Sequence, residues 1–178
     1  PQMLKLQQII KLRQFVEFPS IIGINLPSLK LQWLKEEIVP NVKKLVIFSF
    51  FRDTVKYLAD EFKTQYVIHG DIAADDRPDI VERFNNEEEA ILVSSEAGRF
   101  GLNMTGVHDI VHFGYSYNPA TMKQREDRLH RFGQSFPVNV FSPYLTNTID
   151  QGIREIFLKR KENTQEFDDM SYKMSEVR

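Results

Sequence analysis

Three arginines at intervals of three residues are the strongest chemical signal in this sequence. Arg125, Arg128 and Arg131 lie within residues 124–134, QREDRLHRFGQ, on and just after a predicted helix. Guanidinium groups are planar, permanently charged and able to bind two phosphate oxygens at once, so closely spaced arginines can stabilise a phosphoryl group during its transfer. The alternative is a solvated surface network in which Glu126 and Asp127 pair with these arginines.

A second segment of small and polar residues follows a predicted buried strand. Residues 94–106 read SSEAGRFGLNMTG, and in open α/β sheets ligands bind beyond the carboxyl ends of the strands. Glycines allow close backbone approach there, and Asn103 and Thr105 can bind phosphates without reading base sequence. The chain contains neither G-x-G-x-x-G nor G-x-x-x-x-G-K-[ST], so the alternative is an ordinary glycine-rich turn.

Other candidate sites are weaker. His108 and His112 are four residues apart, but no third ligand is evident, so we expect no metal site. The absence of cysteine excludes disulfides and thiolate-based metal centres. Trp33 and the 14 phenylalanines are most economically core residues.

Composition indicates a globular domain without a general affinity for polyanions. The chain has 178 residues, 42% of them hydrophobic, and 23 Lys and Arg against 25 Asp and Glu give a formal charge of -2. Any contact with nucleic acid must therefore be local. The longest apolar run is too short for a membrane span, and no signal peptide is evident. Because residue 1 is proline, we expect a piece of a longer polypeptide.

Hydrophobic periodicity predicts alternating strands and helices. The predicted strands are residues 45–51, 66–69, 90–94, 109–113 and 138–144. The predicted helices are residues 3–16, 29–38, 54–63, a segment around 80–84, 119–132 and 149–161. This alternation predicts an α/β fold with a mostly parallel sheet covered by helices on both faces, and residues 163–178 are predicted to form a mobile tail.

In their order and spacing, the two segments resemble the second lobe of superfamily-two helicase-like ATPases, specifically the Swi/Snf family of duplex-DNA translocases. Residues 124–134 are similar to the sixth motif of that family, residues 98–105 to its fifth and residues 46–49 to its fourth. Asn118 and Pro119 match an intervening element, while Gly70, Arg77, Phe84 and Asn85 match further family positions. The resemblance implies a RecA-like three-layer α/β/α sandwich over residues 30–162, preceded by short helices in residues 1–29 that lead from a preceding lobe.

The resemblance also implies roles for individual residues. Arg128 and Arg131 would be arginine fingers that reach the γ-phosphate of ATP, with Gln124, Asp127 and Gly101 on the nucleotide side. The DNA backbone, in a duplex, would be contacted by Ser49, Asn103, Thr105 and Arg77. ATP with Mg²⁺ would be held mainly by the N-terminal RecA-like lobe of the same polypeptide, because this chain lacks the phosphate loop and the acidic magnesium motif. The chain alone is therefore expected to be inactive.

The sequence departs from the family pattern at three places. It has Gly98-Arg99-Phe100 where the family has a Gly-Gly pair, His69-Gly70 where the family has Asp-Gly, and Tyr117-Asn118-Pro119 where the family has Trp-Asn-Pro. Two alternative functions stay open, namely a lobe of a strand-separating DNA or RNA helicase and a non-catalytic nucleic-acid or protein binding module. Each of these functions implies an intracellular protein of the cytoplasm, nucleus or bacterial nucleoid.

Overall fold

A five-stranded sheet forms the centre of the protein. The structure is a computed structural model that describes residues 2–95, 104–126 and 137–175, with side chains described for residues 3–163 within those ranges. The strands are β1 (Lys44–Phe48), β2 (Tyr66–Ile68), β3 (Ala90–Ser94), β4 (Asp109–His112) and β5 (Asn139–Phe141). Their order across the sheet is β2-β3-β1-β4-β5, and every pairing is parallel.

Helices connect and cover these strands. They are α1 (Gln2–Glu17), α2 (Leu29–Trp33), α3 (Arg52–Phe62), α4 (Arg77–Asn86), α5 (Pro119–Glu126) and α6 (Ile149–Ser175). The predicted helix at 29–38 starts where expected, since the Ser28 hydroxyl accepts a hydrogen bond from the Leu31 N–H (3.2 Å). It then continues as a π-helical turn (Leu34–Ile38) and a 3₁₀ turn (Val39–Asn41) that contains Pro40. Helix α6 runs to Ser175, beyond its predicted end at residue 161.

The sheet is buried on both faces, as the apolar strands predicted. All five residues of β1 are buried, and alternate side chains enter different clusters because the side-chain period of a strand is two residues. Val46 and Phe48 join a cluster with Phe84 of α4, whereas Leu45 and Ile47 join a cluster with Leu58 of α3. The prediction of a mostly parallel α/β sheet covered by helices on both faces is therefore confirmed.

A third apolar cluster joins α5 to the last helix. Met122 of α5 packs with Ile153 and Phe157 of α6, and with Tyr115 from the segment after β4. At the other end of the chain, α1 packs against α2 and α6. These contacts fix the outer helices against the central sheet. Within the described part of the chain, no helix combines the length and the apolar character that crossing a membrane would need.

Candidate functional site

Several of the predicted site residues follow the carboxyl ends of the strands, which lie together at one edge of the sheet. Phe48 of β1 is aligned with Ser94 of β3 and with His112 of β4. Hydrogen bonds continue the ladder one residue further, from the Ser49 N–H to the Ser94 carbonyl (3.1 Å) and from the Phe113 N–H to the Phe48 carbonyl (2.8 Å). The segments that leave the strands therefore start from a rigid platform.

Ser49, a predicted DNA contact, is fully buried at this edge. Its hydroxyl donates to Glu17 Oε2 (2.9 Å) and accepts from the Phe51 N–H (3.1 Å). The hydroxyl is thus engaged inside the protein, and a DNA backbone would have to compete with Glu17 for it. The contact between Ser49 and DNA stays a prediction.

The carboxylate of Glu17 is a buried charged group that the sequence did not reveal. Its Oε2 also accepts from the Thr54 hydroxyl (2.7 Å), and only 2% of the residue is exposed. Burial raises the pKa of this carboxyl, while the charge of Lys30 and the two hydroxyl donors oppose that rise. Gly114 makes room for the carboxylate, because a Cβ at that position would lie 2.2 Å from Glu17 Oε1.

Arg125, in the last turn of α5, is also internal and not on the surface. Only 1% of it is exposed, and its guanidinium carbon lies 5.1 Å from the ring centroid of Phe48 and 4.6 Å from that of Phe50. Its Nη1 is 3.5 Å from His112 Nδ1, and His112 Nε2 is 3.2 Å from Glu126 Oε1. The alternative of a solvated network is therefore wrong for Arg125, because only 1% of this residue is exposed.

The remaining residues of the arginine segment are only partly within the described structure. Gln124 is exposed on α5, next to the buried Arg125. Asp127, Arg128 and Arg131 lie outside the described residues, as do Gly101 and Asn103 of the glycine-rich segment. Their predicted roles on the nucleotide and on DNA stay predictions.

Thr105 and Arg77 lie at the two ends of α4. The exposed Thr105 donates its N–H to Asn85 Oδ1 (3.0 Å), and Asn85 belongs to the last turn of that helix. Arg77, the first residue of α4, donates from Nε (3.1 Å) and Nη2 (2.8 Å) to the Ile72 carbonyl. Lys44, the first residue of β1, donates to the Asn85 carbonyl (2.8 Å), so Thr105 lies at the amino edge of the sheet, opposite the edge of Ser49. The contacts of Thr105 and Arg77 with DNA stay predictions.

His112, one of the two histidines considered as metal ligands, has partners within the protein. His112 is fully buried between Arg125 and Glu126 and stacks on Phe48, with the ring centroids 5.9 Å apart. Across the described segments, no group of three or more His, Cys, Asp or Glu residues could hold a metal ion. His112 therefore serves the packing of α5 on the sheet.

A buried ion pair ties α2 to α6 behind the site. Lys30 Nζ lies 2.5 Å from Asp150 Oδ2 and donates to the Phe113 carbonyl (2.9 Å). Both side chains are almost fully buried. Because Phe113 directly follows β4, this lysine connects two outer helices to the carboxyl end of the sheet.

Comparison with known proteins identifies the domain. Residues 29–133 match the family described as Helicase conserved C-terminal domain. The chain belongs to this family, in its Snf2 branch. The resemblance to the second lobe of Swi/Snf ATPases is thereby confirmed.

Curated relatives of this helicase lobe are much longer proteins. An uncharacterized ATP-dependent helicase of Mycoplasma pneumoniae is 31% identical over 164 residues, covering 86% of this chain and 16% of the relative. Protein CHROMATIN REMODELING 19 of Arabidopsis thaliana is 36% identical over 135 residues, covering 70% of this chain and 18% of the relative. The chain spans less than a fifth of the length of these relatives.

Solved structures show the same fold. The Sulfolobus solfataricus SWI2/SNF2 ATPase core domain superposes with a TM-score of 0.69 at 26% identity, over 88% of this chain and 34% of that one. The C-terminal part of the Fun30 ATPase domain superposes with a TM-score of 0.63 at 25% identity, over 82% and 52% of the two chains. The predicted RecA-like fold is confirmed, and the helicase lobe is of the Snf2 ATPase type.

Proposed function

We propose that this chain is the second motor lobe of an ATP-dependent duplex-DNA translocase. The observation that carries the proposal is its membership of the Snf2 branch, together with a complete sixth motif at Gln124, Asp127, Arg128 and Arg131. In such a motor, ATP binds at a first lobe, and the second lobe supplies positive charge to the γ-phosphate. Arg128 and Arg131 are the arginine fingers of the proposal, with Gln124, Asp127 and Gly101 beside the nucleotide.

The packing of α5 supports this assignment. Its last turn is held at the carboxyl edge of the sheet by Arg125 and Glu126, which lie against His112. The segment with the two arginines therefore begins from a fixed point. Phosphoryl transfer depends on positioning and on charge stabilisation, so arginine fingers need such a fixed origin.

The proposed DNA surface comprises Thr105, Arg77, Asn103 and Ser49. Thr105 and Arg77 are held at opposite ends of α4 by Asn85 and Ile72, which gives a defined spacing for phosphate contacts. Contacts of this kind provide affinity without base specificity and weaken as the salt concentration rises. Such phosphate contacts are compatible with the overall charge of -2, because a few local groups are sufficient to bind the DNA backbone.

The proposed partner is a first lobe of the same polypeptide, which holds ATP and Mg²⁺. This chain has no phosphate-loop motif, so turnover requires that lobe. The relatives from Mycoplasma pneumoniae and Arabidopsis thaliana are described as an ATP-dependent helicase and a chromatin remodelling protein. A DNA motor of this kind would act where DNA is, in the nucleus or in a bacterial cytoplasm.

ATP hydrolysis by a two-lobe protein that carries this chain tests the proposal. Initial rates are measured at fixed low salt without nucleic acid, with duplex DNA and with single-stranded RNA. Arg131→Ala should lower the DNA-stimulated rate by about 10³–10⁵-fold, as expected for a lost arginine finger. Arg83→Ala is the matched control, because Arg83 is an exposed arginine on α4.

Each outcome has a definite meaning. Stimulation by duplex DNA that is lost in Arg131→Ala and kept in Arg83→Ala supports the translocase. Preference for RNA, or separation of the strands of a duplex, would replace it with the strand-separating helicase. Absence of hydrolysis under all three conditions would favour a non-catalytic binding module.

A further inference from the structure

A cluster of charged and aromatic side chains, buried at Phe48, His112 and Arg125 and half-buried at Phe50 and Glu126, directly precedes the proposed arginine fingers in the chain. It consists of Phe48 and Phe50 at and after the end of β1, His112 at the end of β4, and Arg125 and Glu126 at the end of α5. Arg125 and His112 are among the most deeply buried polar residues of the described chain, at 1% and 0% exposure. Burial of a guanidinium is costly unless its partners compensate, so the cluster must be well ordered.

The aromatic rings of the cluster compensate part of that cost. The guanidinium carbon of Arg125 lies within about 5 Å of the Phe48 and Phe50 ring centroids, inside the range of cation–π attraction. Phe50 also faces a second guanidinium, because Arg13 of α1 lies 5.1 Å from its centroid. The position of the Arg125 side chain therefore depends on the charge of its guanidinium as well as on its packing.

The histidine connects this arginine to the neighbouring carboxylate. A guanidinium can only donate hydrogen bonds, so His112 Nδ1, 3.5 Å from Arg125 Nη1, must accept. The Nε2 atom then carries the proton and donates to Glu126 Oε1 at 3.2 Å. One imidazole thus joins two consecutive residues of α5 to the central sheet.

We propose that Arg125 and His112 are positioning residues for the arginine fingers. Arg128 and Arg131 follow Arg125 by three and six positions in the sequence, so Arg125 and His112 fix the point from which the segment that carries both arginines starts. Displacement of a reacting group by about 1 Å can lower a rate by roughly 100-fold. This inference rests on the proposed function. According to it, substitution of Arg125 or His112 lowers the rate of ATP hydrolysis although neither side chain contacts ATP or DNA.

The first experiment separates positioning from folding. In the two-lobe protein, Arg125→Met keeps an apolar side chain of similar length but removes the charge, and it should lower kcat by about 10- to 100-fold. The KM for ATP and the duplex-DNA concentration that gives half-maximal stimulation should change by less than about twofold, because neither ligand touches Arg125. Arg125→Lys keeps a cation above the two rings and should recover part of the lost kcat.

A double-mutant cycle tests the link to the histidine. His112→Leu should lower kcat in the same direction, and His112→Leu with Arg125→Met should lower it no further than Arg125→Met alone. Independent, multiplying effects would contradict the link. Arg83→Met is the matched control, and the folded fraction of each variant is measured by thermal unfolding so that rates refer to folded protein.

An NMR measurement tests the geometry without any reaction. In the 178-residue chain, nitrogen-15 shifts of the His112 ring should show that Nε2 donates and Nδ1 accepts, and the signals should move in Arg125→Met. A proton on Nδ1 would overturn the proposal. So would an unchanged kcat in folded Arg125→Met.

The two proposals can fail separately. No DNA-stimulated hydrolysis by the unsubstituted two-lobe protein would overturn the proposed function and the positioning role that rests on it. Hydrolysis that is lost in Arg131→Ala but kept in Arg125→Met would overturn the positioning role alone.

Discussion

Lys30 is predicted to be one of the largest single contributors to the stability of this fold. Its side chain is fully buried, with Nζ 2.5 Å from Asp150 Oδ2 and 2.9 Å from the Phe113 carbonyl. Lys30→Met leaves the buried Asp150 carboxylate and the buried Phe113 carbonyl without the hydrogen bonds that the ammonium group donates. Breaking a buried pair from one side costs about 3–5 kcal/mol.

Two features of the Asp150 site narrow the expected loss of stability. Asp150 Oδ2 keeps a second hydrogen bond, from the Leu145 N–H at 3.2 Å, and the carboxylate lies in the first turn of α6, where the helix dipole favours negative charge. We therefore expect Lys30→Met to lower the free energy of unfolding by about 3–4 kcal/mol. For a chain of this length, each kcal/mol corresponds to about 2–4 °C in Tm, so Tm should fall by about 6–16 °C.

Urea denaturation and thermal unfolding of the 178-residue chain measure this effect. Lys35→Met is the matched control, because the Lys35–Glu61 pair is 45% and 37% exposed, and an exposed pair contributes about 0–1 kcal/mol. Lys30→Met with Asp150→Leu removes both buried charges and should recover much of the loss. A loss below about 1 kcal/mol in Lys30→Met, equal to that of the control, would refute the argument from burial.

Two further predictions concern the buried carboxylate of Glu17. Because its pKa is raised above the usual 4.5, its contribution to stability is fully present below that pH and is lost as the pH rises through the folded-state value. Glu17→Gln does not titrate, so its free energy of unfolding minus that of the wild type should increase as the pH rises above 4.5, as measured by urea denaturation. A difference independent of pH would contradict the burial of this carboxyl group. Gly114→Ala brings a Cβ to 2.2 Å from Glu17 Oε1 and should cost about 1–3 kcal/mol. In Gly70→Ala the new Cβ meets nothing within 4 Å, so this control should unfold as the wild type does, and equal losses in the two variants would count against the close contact.

Much of the fold was predictable because local periodicity carries it. The apolar run of β1 predicted a strand buried on both faces, and β3 has the predicted bounds. The order β2-β3-β1-β4-β5 was not predictable, because it depends on which strands pair across long crossovers. The short β5 and the change from α-helix to π-helical turn after Trp33 also depend on tertiary packing.

The candidate site was also predictable only in part. The ordered motifs at residues 46–49, 98–105 and 124–134 were together sufficient to identify the family, which the comparisons confirm. The spacing of Arg125 from Arg128 and Arg131 gave no sign that Arg125 is internal. Its distance of three residues from Met122 and four from Leu129 was a local sign of an internal position, but its partners Phe48, Phe50 and His112 are visible only in the tertiary structure.

By itself, the sequence determined the elements, the fold class and the family, because these depend on residue types at short, regular separations. Only the tertiary structure decided which charged groups became internal. Glu17 meets Thr54 and Gly114, Lys30 meets Phe113 and Asp150, and Arg125 meets Phe48 and His112. Each of these charges is stabilised by partners far away in the chain, and no local pattern can encode a partner that only folding brings close.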